Sequence, residues 1–172
     1  KMFPDQYKYI SDSASPMVET AKYIKRIDPE AIVTFIGPCI SKKLEALREE
    51  VKDYVHFVIT FEELMGMFVG KGIELSEIEV DKEIQDASIL GRGFAAAGGV
   101  AEAVKKTAQM LDPSREILIE SASNLHDCVK LMRIAKAGKK NGYLLEGMAC
   151  PGGCIAGPGT LASIDRARKA LA

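Results

Sequence analysis

The segment at residues 146–161, EGMACPGGCIAGPGTL, constrains this chain more than any other. Cys150 and Cys154 flank a Pro-Gly-Gly turn within it. Glycine lets the backbone come close to a bulky ligand and turn its N–H groups towards it. Thiolates are soft ligands that suit iron–sulfur clusters, zinc or copper(I), and cluster sulfurs also need hydrogen-bond donors. The segment therefore predicts a metal-binding loop rather than a structural turn.

A second cysteine segment, GPCISKK at residues 37–43, has the same setting. Each segment follows a predicted buried strand and precedes a predicted helix. Because sites in open α/β sheets form beyond the carboxyl ends of strands, Cys39 could converge with Cys150 and Cys154. Lys42 follows Cys39 closely enough to reach a ligand bound there. Taken alone, Cys39 is equally consistent with a small buried cysteine.

The rest of the chain alternates strand-like and helix-like segments. Strands are predicted at residues 31–38, 55–60, 116–120 and 143–148. Helices are predicted at residues 41–51, 94–111 and 124–137, after Ser15-Pro16, after a capping box of Thr60 and Glu63, and after the Gly/Pro loop. Residues 72–93 predict only a helical turn and a loop. The alternation predicts an α/β fold, a mainly parallel sheet of about four strands flanked by helices.

Composition excludes several classes of protein. The 23 basic and 24 acidic residues nearly balance, so neither nucleic acid nor an acidic tail is indicated. Apolar runs are too short to cross a membrane, and no secretory signal pattern is present. Four cysteines without such a signal favour a metal or redox role and a cytoplasmic location. The chain begins at Lys1, so we expect its 172 residues to be a single fragment of a longer domain.

Other interpretations of the cysteine loop remain open. A redox disulfide between Cys150 and Cys154 is one, although redox pairs more often have two intervening residues. A zinc site is another, since zinc tolerates this spacing, but zinc explains neither Lys42 nor the glycine excess. The small-residue segment GRGFAAAGGVAEAV at residues 91–104 is either a tightly packed helix start or a close wall around a ligand.

The remaining candidate ligands favour structural roles. Cys128 lies on an apolar helical stripe with Leu125 and Val129, and no glycine or proline loop surrounds it. Core packing is therefore the better interpretation of Cys128. His56 and His126 lie in no recognisable ligand spacing.

GPCISKK and MACPGGCIAG together resemble two of the three signature motifs of iron-only (FeFe) hydrogenases. Residues 91–104 resemble the small-residue segment that lies between these motifs in that family, and the likeness covers nearly the whole chain. The resemblance implies the C-terminal part of the catalytic domain. It also implies reversible reduction of protons to dihydrogen, with ferredoxin or another carrier delivering the electrons.

The resemblance further implies an H-cluster, a four-iron cubane joined through a cysteine sulfur to a diiron unit with carbon monoxide and cyanide ligands. By motif, Cys39 and Cys150 would bind the cubane and Cys154 would bridge its two parts. Lys42 would hydrogen-bond a cyanide, and Met148 would pack near the diiron unit. Ser11 would match a serine of the proton path. The cofactor pocket would be lined by Ser15, Pro16, Pro38, Phe94, Gly98, Gly99, Gly152 and Gly153.

Two departures from the family pattern qualify this expectation. The first motif, which normally supplies the fourth cubane ligand and a proton-passing cysteine, is absent and would lie upstream of Lys1. We therefore expect the isolated fragment to be inactive, with the H-cluster absent or incomplete, and to need the upstream part of the same domain. Gly37 and the sequence at residues 156–161 resemble the sensory branch, in which signalling domains would be partners. A Nar-type iron–sulfur assembly factor and a non-enzymatic zinc module are the alternatives.

Overall fold

The structure, a computed structural model, describes residues 2–79 and 87–171, and these divide into two units. The N-terminal unit comprises Lys8–Glu79 and Pro158–Leu161. The C-terminal unit comprises the described residues of Lys1–Tyr7, Val80–Gly157 and Ala162–Ala172. Among the described residues, no helix has both the length and the apolar character that spanning a bilayer requires.

The N-terminal unit is built on a pair of short parallel strands. Strand β1 pairs with β2 in a register that joins Thr34 to Phe57 and Ile36 to Ile59. The elements of this unit are α1 (Pro16–Ile27), β1 (Thr34–Ile36), α2 (Ser41–Ala46), β2 (Phe57–Ile59), α3 (Phe61–Gly70) and a 3₁₀ helix (Leu75–Glu77). A further 3₁₀ helix, Pro4–Tyr9, precedes them and spans the boundary between the units.

The core of the N-terminal unit forms between α1 and the chain that returns to β2. Met17, Val18 and Ala21 on one face of α1 are buried with Val51 and Val55. Helix α1 begins as the sequence predicts, with Ser15 at the N-cap and proline at the first helical position, although the Ser15 side chain makes no capping hydrogen bond. Burial of this apolar stripe is what holds α1 to the unit.

Helix α2 of this unit is shorter than predicted, whereas the predicted start of α3 is confirmed. Helix α2 ends at Ala46 rather than at residue 51, because the chain breaks into successive turns that bury Val51 and Val55 instead of continuing along the helix. At α3 the capping box is complete. Thr60 Oγ1 accepts from the Glu63 N–H at 3.1 Å, and a Glu63 carboxylate oxygen accepts from the Thr60 N–H at 2.8 Å.

The C-terminal unit is built on a longer pair of parallel strands. Strands β3 and β4 pair in register from Leu118↔Tyr143 to Ser123↔Met148. The elements of this unit are α4 (Ile89–Gly93), α5 (Gly99–Leu111), β3 (Leu118–Ser123), α6 (Leu125–Lys136), β4 (Tyr143–Met148), a 3₁₀ helix (Cys154–Ala156) and α7 (Ile164–Leu171). Residues 80–86 of the predicted turn and loop lie outside the described residues.

The α/β class with parallel strands and flanking helices is confirmed. In the part of the chain that the structure describes, the four strands form two two-stranded sheets rather than one continuous sheet. The predicted helix at residues 94–111 begins only at Gly99, because the backbone packs too closely before it. A Cβ on Gly99 would lie 1.8 Å from the Gly93 carbonyl oxygen, and Gly98 has φ of +88°.

Asn124 joins β3 to α6 in a conformation that only glycine adopts readily. Its φ of 112° and ψ of 158° make it the one non-glycine residue with positive φ in the described ranges 2–79 and 87–171. Such a conformation costs about 1–3 kcal/mol. Two contacts hold it in place: its N–H donates to the Met148 carbonyl at 2.8 Å, and its Oδ1 accepts from the Asp127 N–H at 2.9 Å.

Replacement of Asn124 should separate backbone strain from helix capping. Asn124→Gly relieves about 1–3 kcal/mol of strain and loses only a few tenths at the cap, so it should raise the free energy of unfolding. Asn124→Ala keeps the strain and loses about 1 kcal/mol of capping, so this variant should have a lower free energy of unfolding. Urea denaturation measures both. Equal destabilisation by the two variants would show that φ at this position is not strained.

Candidate metal centre

The loop that carries Cys150 and Cys154 leaves the end of β4 and docks on the segment before α5. The Ala97 N–H donates to the Gly152 carbonyl at 3.0 Å, and the Ile155 N–H donates to the Ala95 carbonyl at 3.0 Å. Two backbone hydrogen bonds therefore clamp the loop on either side of Gly153. Both cysteines are half-buried in this arrangement.

Gly153 makes the closest approach in this contact. A Cβ at Gly153 would lie 2.4 Å from the Ala97 nitrogen and 2.7 Å from the Ala96 carbonyl carbon, and φ there is +100°. Only glycine fits both the space and the conformation. The small-residue run at 95–97 is thus a tightly packed wall against the cysteine loop, whereas its role along a ligand stays a prediction.

Glu146 on β4 secures the same wall from the strand side. Its carboxylate accepts from the Gly98 N–H at 2.6 Å and from the Ala101 N–H at 2.7 Å. A negative charge at the start of α5 satisfies N–H groups that have no partner within the helix and complements the helix dipole. This role of Glu146 at the start of α5 was not predicted from the sequence. The signal for it was a single acidic residue inside the otherwise apolar strand YLLEGM, two residues before the cysteine motif MACPGGC.

Met148 ends β4, and neighbours from β3 and α6 fix its carbonyl. That oxygen accepts the Asn124 N–H at 2.8 Å and lies 3.6 Å from Cys128 Sγ. The same sulfur lies 3.6 Å from the Ala122 carbonyl oxygen. Cys128 therefore packs against the ends of both strands, in keeping with the structural role predicted for it.

Phe94 lies in the backbone turn that precedes α5, and Gly99 is the first residue of α5. Phe94 ends α4, with its N–H donating to the Gly91 carbonyl at 3.3 Å, and its side chain is half-buried. Gly98 and Gly99 are also half-buried. These residues shape the backbone that the cysteine loop packs against.

In the N-terminal unit, Lys42 forms an ion pair with Glu45, which was not among the site residues predicted from the sequence. The Lys42 Nζ lies 2.5 Å from a Glu45 carboxylate oxygen, and the two side chains are only 23% and 18% exposed. Burial would raise the pKa of Glu45, but the hydrogen bond from Lys42, the nearby Ser15 hydroxyl and the charges of Lys42 and Arg48 oppose this, so that the pKa lies below its usual value. Lys42 and Glu45 lie one helical turn apart, and this spacing could have predicted their ion pair from the sequence.

Ser15 lies beside this ion pair. Its Oγ is buried, and within the described chain it has no hydrogen bond of standard geometry, although it is near enough to help lower the pKa of Glu45. A buried hydroxyl with unused bonding capacity suits a polar ligand. The N-terminal unit thus brings Ser15 and Lys42 to one carboxylate.

The other predicted residues of this unit are placed less closely. Cys39 is half-buried, and the preceding Pro38 carbonyl accepts from the Gly159 N–H at 3.0 Å. Pro16 is exposed at the start of α1. Ser11 is exposed and donates to Ser13 Oγ at 3.0 Å. Its assignment to a proton path stays a prediction.

Cysteine thiols are the right type of ligand for an iron–sulfur cluster, but too few candidate ligands in the described part of the chain are grouped at one place to hold one. None of the four forms a disulfide, and all are half-buried. Thiolate donors and glycine backbone are what such clusters require. Among the described residues, however, no three His, Cys, Asp or Glu side chains are grouped closely enough to hold a metal. Cys150 and Cys154 belong to one unit and Cys39 to the other, so their convergence stays a prediction.

Comparison with known proteins identifies the family. Residues 1–158 match the family model described as iron only hydrogenase large subunit, C-terminal domain. This match covers most of the chain, and the protein therefore belongs to the family of C-terminal domains of iron-only hydrogenase large subunits.

Individual relatives agree with this assignment. The chain is 26% identical to the periplasmic Fe hydrogenase large subunit of Nitratidesulfovibrio vulgaris, over 98% of this chain and 51% of the relative. It is 28% identical to the cytosolic Fe-S cluster assembly factor NAR1 of Kluyveromyces lactis, over 72% of this chain and 29% of the relative. The chain therefore spans about half the length, or less, of the curated relatives it matches.

A solved structure shares the fold. The FeFe-hydrogenase HydA1 from Chlamydomonas reinhardtii superposes with a TM-score of 0.72 at 23% identity, covering 99% of this chain and 62% of that one. At this identity the likeness establishes the fold alone. The α/β arrangement described above is that of the hydrogenase domain.

The close approach at Gly153 predicts a large effect of a single methyl group. Gly153→Ala should lower the free energy of unfolding by about 3 kcal/mol or more, since it combines positive-φ strain with a clash against backbone. Gly142→Ala is the matched control, because Gly142 also has positive φ, +79°, but has nothing within 4 Å of its Cβ position. It should cost only about 1 kcal/mol. Urea denaturation compares the two, and equal losses would contradict the clamped geometry.

The ion pair at Lys42 predicts how stability depends on pH. Because folding lowers the pKa of Glu45 from 4.5, its contribution is full above that pH and disappears as pH falls through the lowered value. Glu45→Gln should therefore cost about 1 kcal/mol at neutral pH, and the difference from wild type should shrink below pH 4.5.

Glu49→Gln serves as the control for this measurement. Glu49 forms the same spacing of ion pair with Lys52, but its side chain is 85% exposed. An exposed pair contributes little, so this variant should leave the stability profile nearly unchanged. Chemical denaturation at a series of pH values gives both profiles. Identical profiles for the two variants would mean that the Lys42 pair is not protected from solvent.

Proposed function

We propose that this chain is the C-terminal part of the catalytic domain of an iron-only hydrogenase, which reversibly reduces two protons with two electrons to dihydrogen. Family membership, the two cysteine motifs and the fold support the proposal. The cofactor is the H-cluster, with Cys39 and Cys150 as cubane ligands and Cys154 as the bridging ligand. When bound, this cluster would pass on the electrons of an external carrier and supply the metal site at which dihydrogen forms.

The residues of the chain have distinct tasks in this proposal. The clamped loop at Gly153 presents Cys150 and Cys154 on a rigid backbone, because a mobile loop would lose metal affinity. Met148 would lie beside the cluster, and its main chain is already fixed at the end of β4. Glycines and alanines before α5 let the bulky cofactor come close to the backbone while excluding water.

The observation that carries the hydrogenase assignment is the half-buried Lys42 ammonium, three residues after Cys39. Cyanide is anionic, and a cation with little exposure to water forms a strong charge-assisted hydrogen bond to it. Glu45 holds the Lys42 ammonium group in position through their ion pair. A protein that binds a cubane without a diiron unit has no cyanide for Lys42 to contact.

Two other functions of the same family are the alternatives. A Nar-type assembly factor is favoured by the similarity to NAR1, which is 28% identity over 72% of this chain against 26% over 98% for the hydrogenase of Nitratidesulfovibrio vulgaris. Hydrogen sensing is favoured by Gly37 and residues 156–161, which depart from the pattern of hydrogen-producing members. Infrared bands of metal-bound carbon monoxide and cyanide separate the assembly factor from the other two, and dihydrogen evolution separates catalysis from sensing.

The complete site needs more ligands than these 172 residues offer. The relatives are about twice as long or longer, and a cubane needs four ligands where this chain offers three. We therefore assign the fourth thiolate to an upstream segment of the same polypeptide. Electrons would arrive from ferredoxin or a similar carrier.

Cysteine replacement tests the proposed ligands. In the full-length polypeptide, matured anaerobically, Cys39→Ser, Cys150→Ser and Cys154→Ser should each weaken iron retention against a chelator at least tenfold, since even indirect changes around a metal cost about 10–100-fold. Iron per chain and the cluster electronic spectrum are the measurements.

Cys128→Ser is the matched control, because it removes a thiol that packs only against strand ends. It should retain iron at the wild-type level. Loss of iron in this variant and retention in the other three would overturn the ligand assignment. Zinc in place of iron in the matured wild type would overturn the proposed function itself.

A further inference from the structure

Helix α7 places a guanidinium group directly over the cysteine loop. A Cβ at Gly152, midway between Cys150 and Cys154, would lie 3.5 Å from an Arg168 terminal nitrogen and 3.4 Å from Ile164 Cγ2. Ile164 and Arg168 are one turn apart on α7 and contact the loop together. Gly152 has φ of +89°, and its missing side chain leaves room for this approach.

In the described residues, the Arg168 guanidinium is not neutralised by an ion pair with a carboxylate. None of the salt bridges formed by residues 2–79 and 87–171 includes Arg168. All four charged residues of α7 are exposed, namely Asp165, Arg166, Arg168 and Lys169. Of these, Arg168 is the one with a side-chain nitrogen beside Gly152, which stands two residues from each cysteine.

We propose that Arg168 supplies the positive field that stabilises negative charge on the group held by Cys150 and Cys154. The inference rests on the proposed function, because that group is taken to be the iron–sulfur cluster. A cluster becomes more negative on reduction, and a neighbouring cation favours the reduced form. Arg168 does not ligate the cluster. It acts through the electrostatic potential of the loop.

Metal-free protein gives the first test. In the full-length polypeptide purified without iron, Cys150 and Cys154 are alkylated with iodoacetate and with iodoacetamide at one pH. The ratio of the two rates reports the local potential, because the thiolate fraction cancels. Arg168→Gln should lower this ratio about two- to fourfold at low salt, and the effect should fade at high salt.

Two variants separate charge from packing. Arg168→Lys keeps the charge and should keep most of the ratio. Arg166→Gln changes net charge by the same amount on the same helix and should leave the ratio nearly unchanged. Equal ratios for Arg168→Gln and Arg166→Gln would overturn the inference.

The reduction potential of the matured protein gives the second test. Arg168→Gln should shift the cubane potential to more negative values, Arg168→Lys should restore it, and Arg166→Gln should match wild type. Coincident potentials for all four proteins would overturn the inference even with a cluster present. If the wild type assembles no cubane, the proposed function fails, and the alkylation ratio still decides whether Arg168 supplies the field.

Discussion

The contact of Gly153 with the backbone at residues 95–97 is the constraint on which the C-terminal unit depends. It brings two stretches of main chain closer than any side chain would allow, and hydrogen bonds to Gly152 and Ile155 lock it on both sides. This contact explains why the segment that the cysteine loop packs against consists of alanine. It also explains why the cysteine loop needs glycine where the chain turns. A rigid loop is what a metal ligand requires, because each rearrangement would weaken binding.

The main feature of the N-terminal unit is a cationic side chain, Lys42, that is largely shielded from water. Lys42 and Glu45 are both mostly buried, and the loss of hydration is offset by their short contact. Removal of one partner from such a pair is costly because it leaves the other charge unpaired, and the pair also fixes the position of the ammonium group. Ser15 adds a hydroxyl with unused bonding capacity.

Sequence reasoning succeeded where a local rule decides the outcome. The capping box at Thr60, the proline start of α1, the end of α6 before Gly138 and the strand at Tyr143–Met148 all follow from neighbours in sequence. It failed where tertiary contact overrides local preference. Nothing local reveals that close backbone packing at Gly99 delays the start of α5, or that Val51 and Val55 turn the chain away from α2. The split of four strands into two pairs is likewise a matter of long-range packing, as are the roles of Glu146 and Arg168.

The two anchors of β4 and its loop have a joint consequence. Glu146 binds the first N–H groups of α5, and Gly152 and Gly153 bind residues 95–97, which lead into the same helix. The seven peptide units between residues 146 and 153 are therefore closed into a ring by non-covalent bonds, with Cys150 inside it. A ring of fixed circumference tolerates exchange of side chains but not of length. A single residue inserted or deleted between the two anchors would change the path of the loop and move the Cys150 thiol.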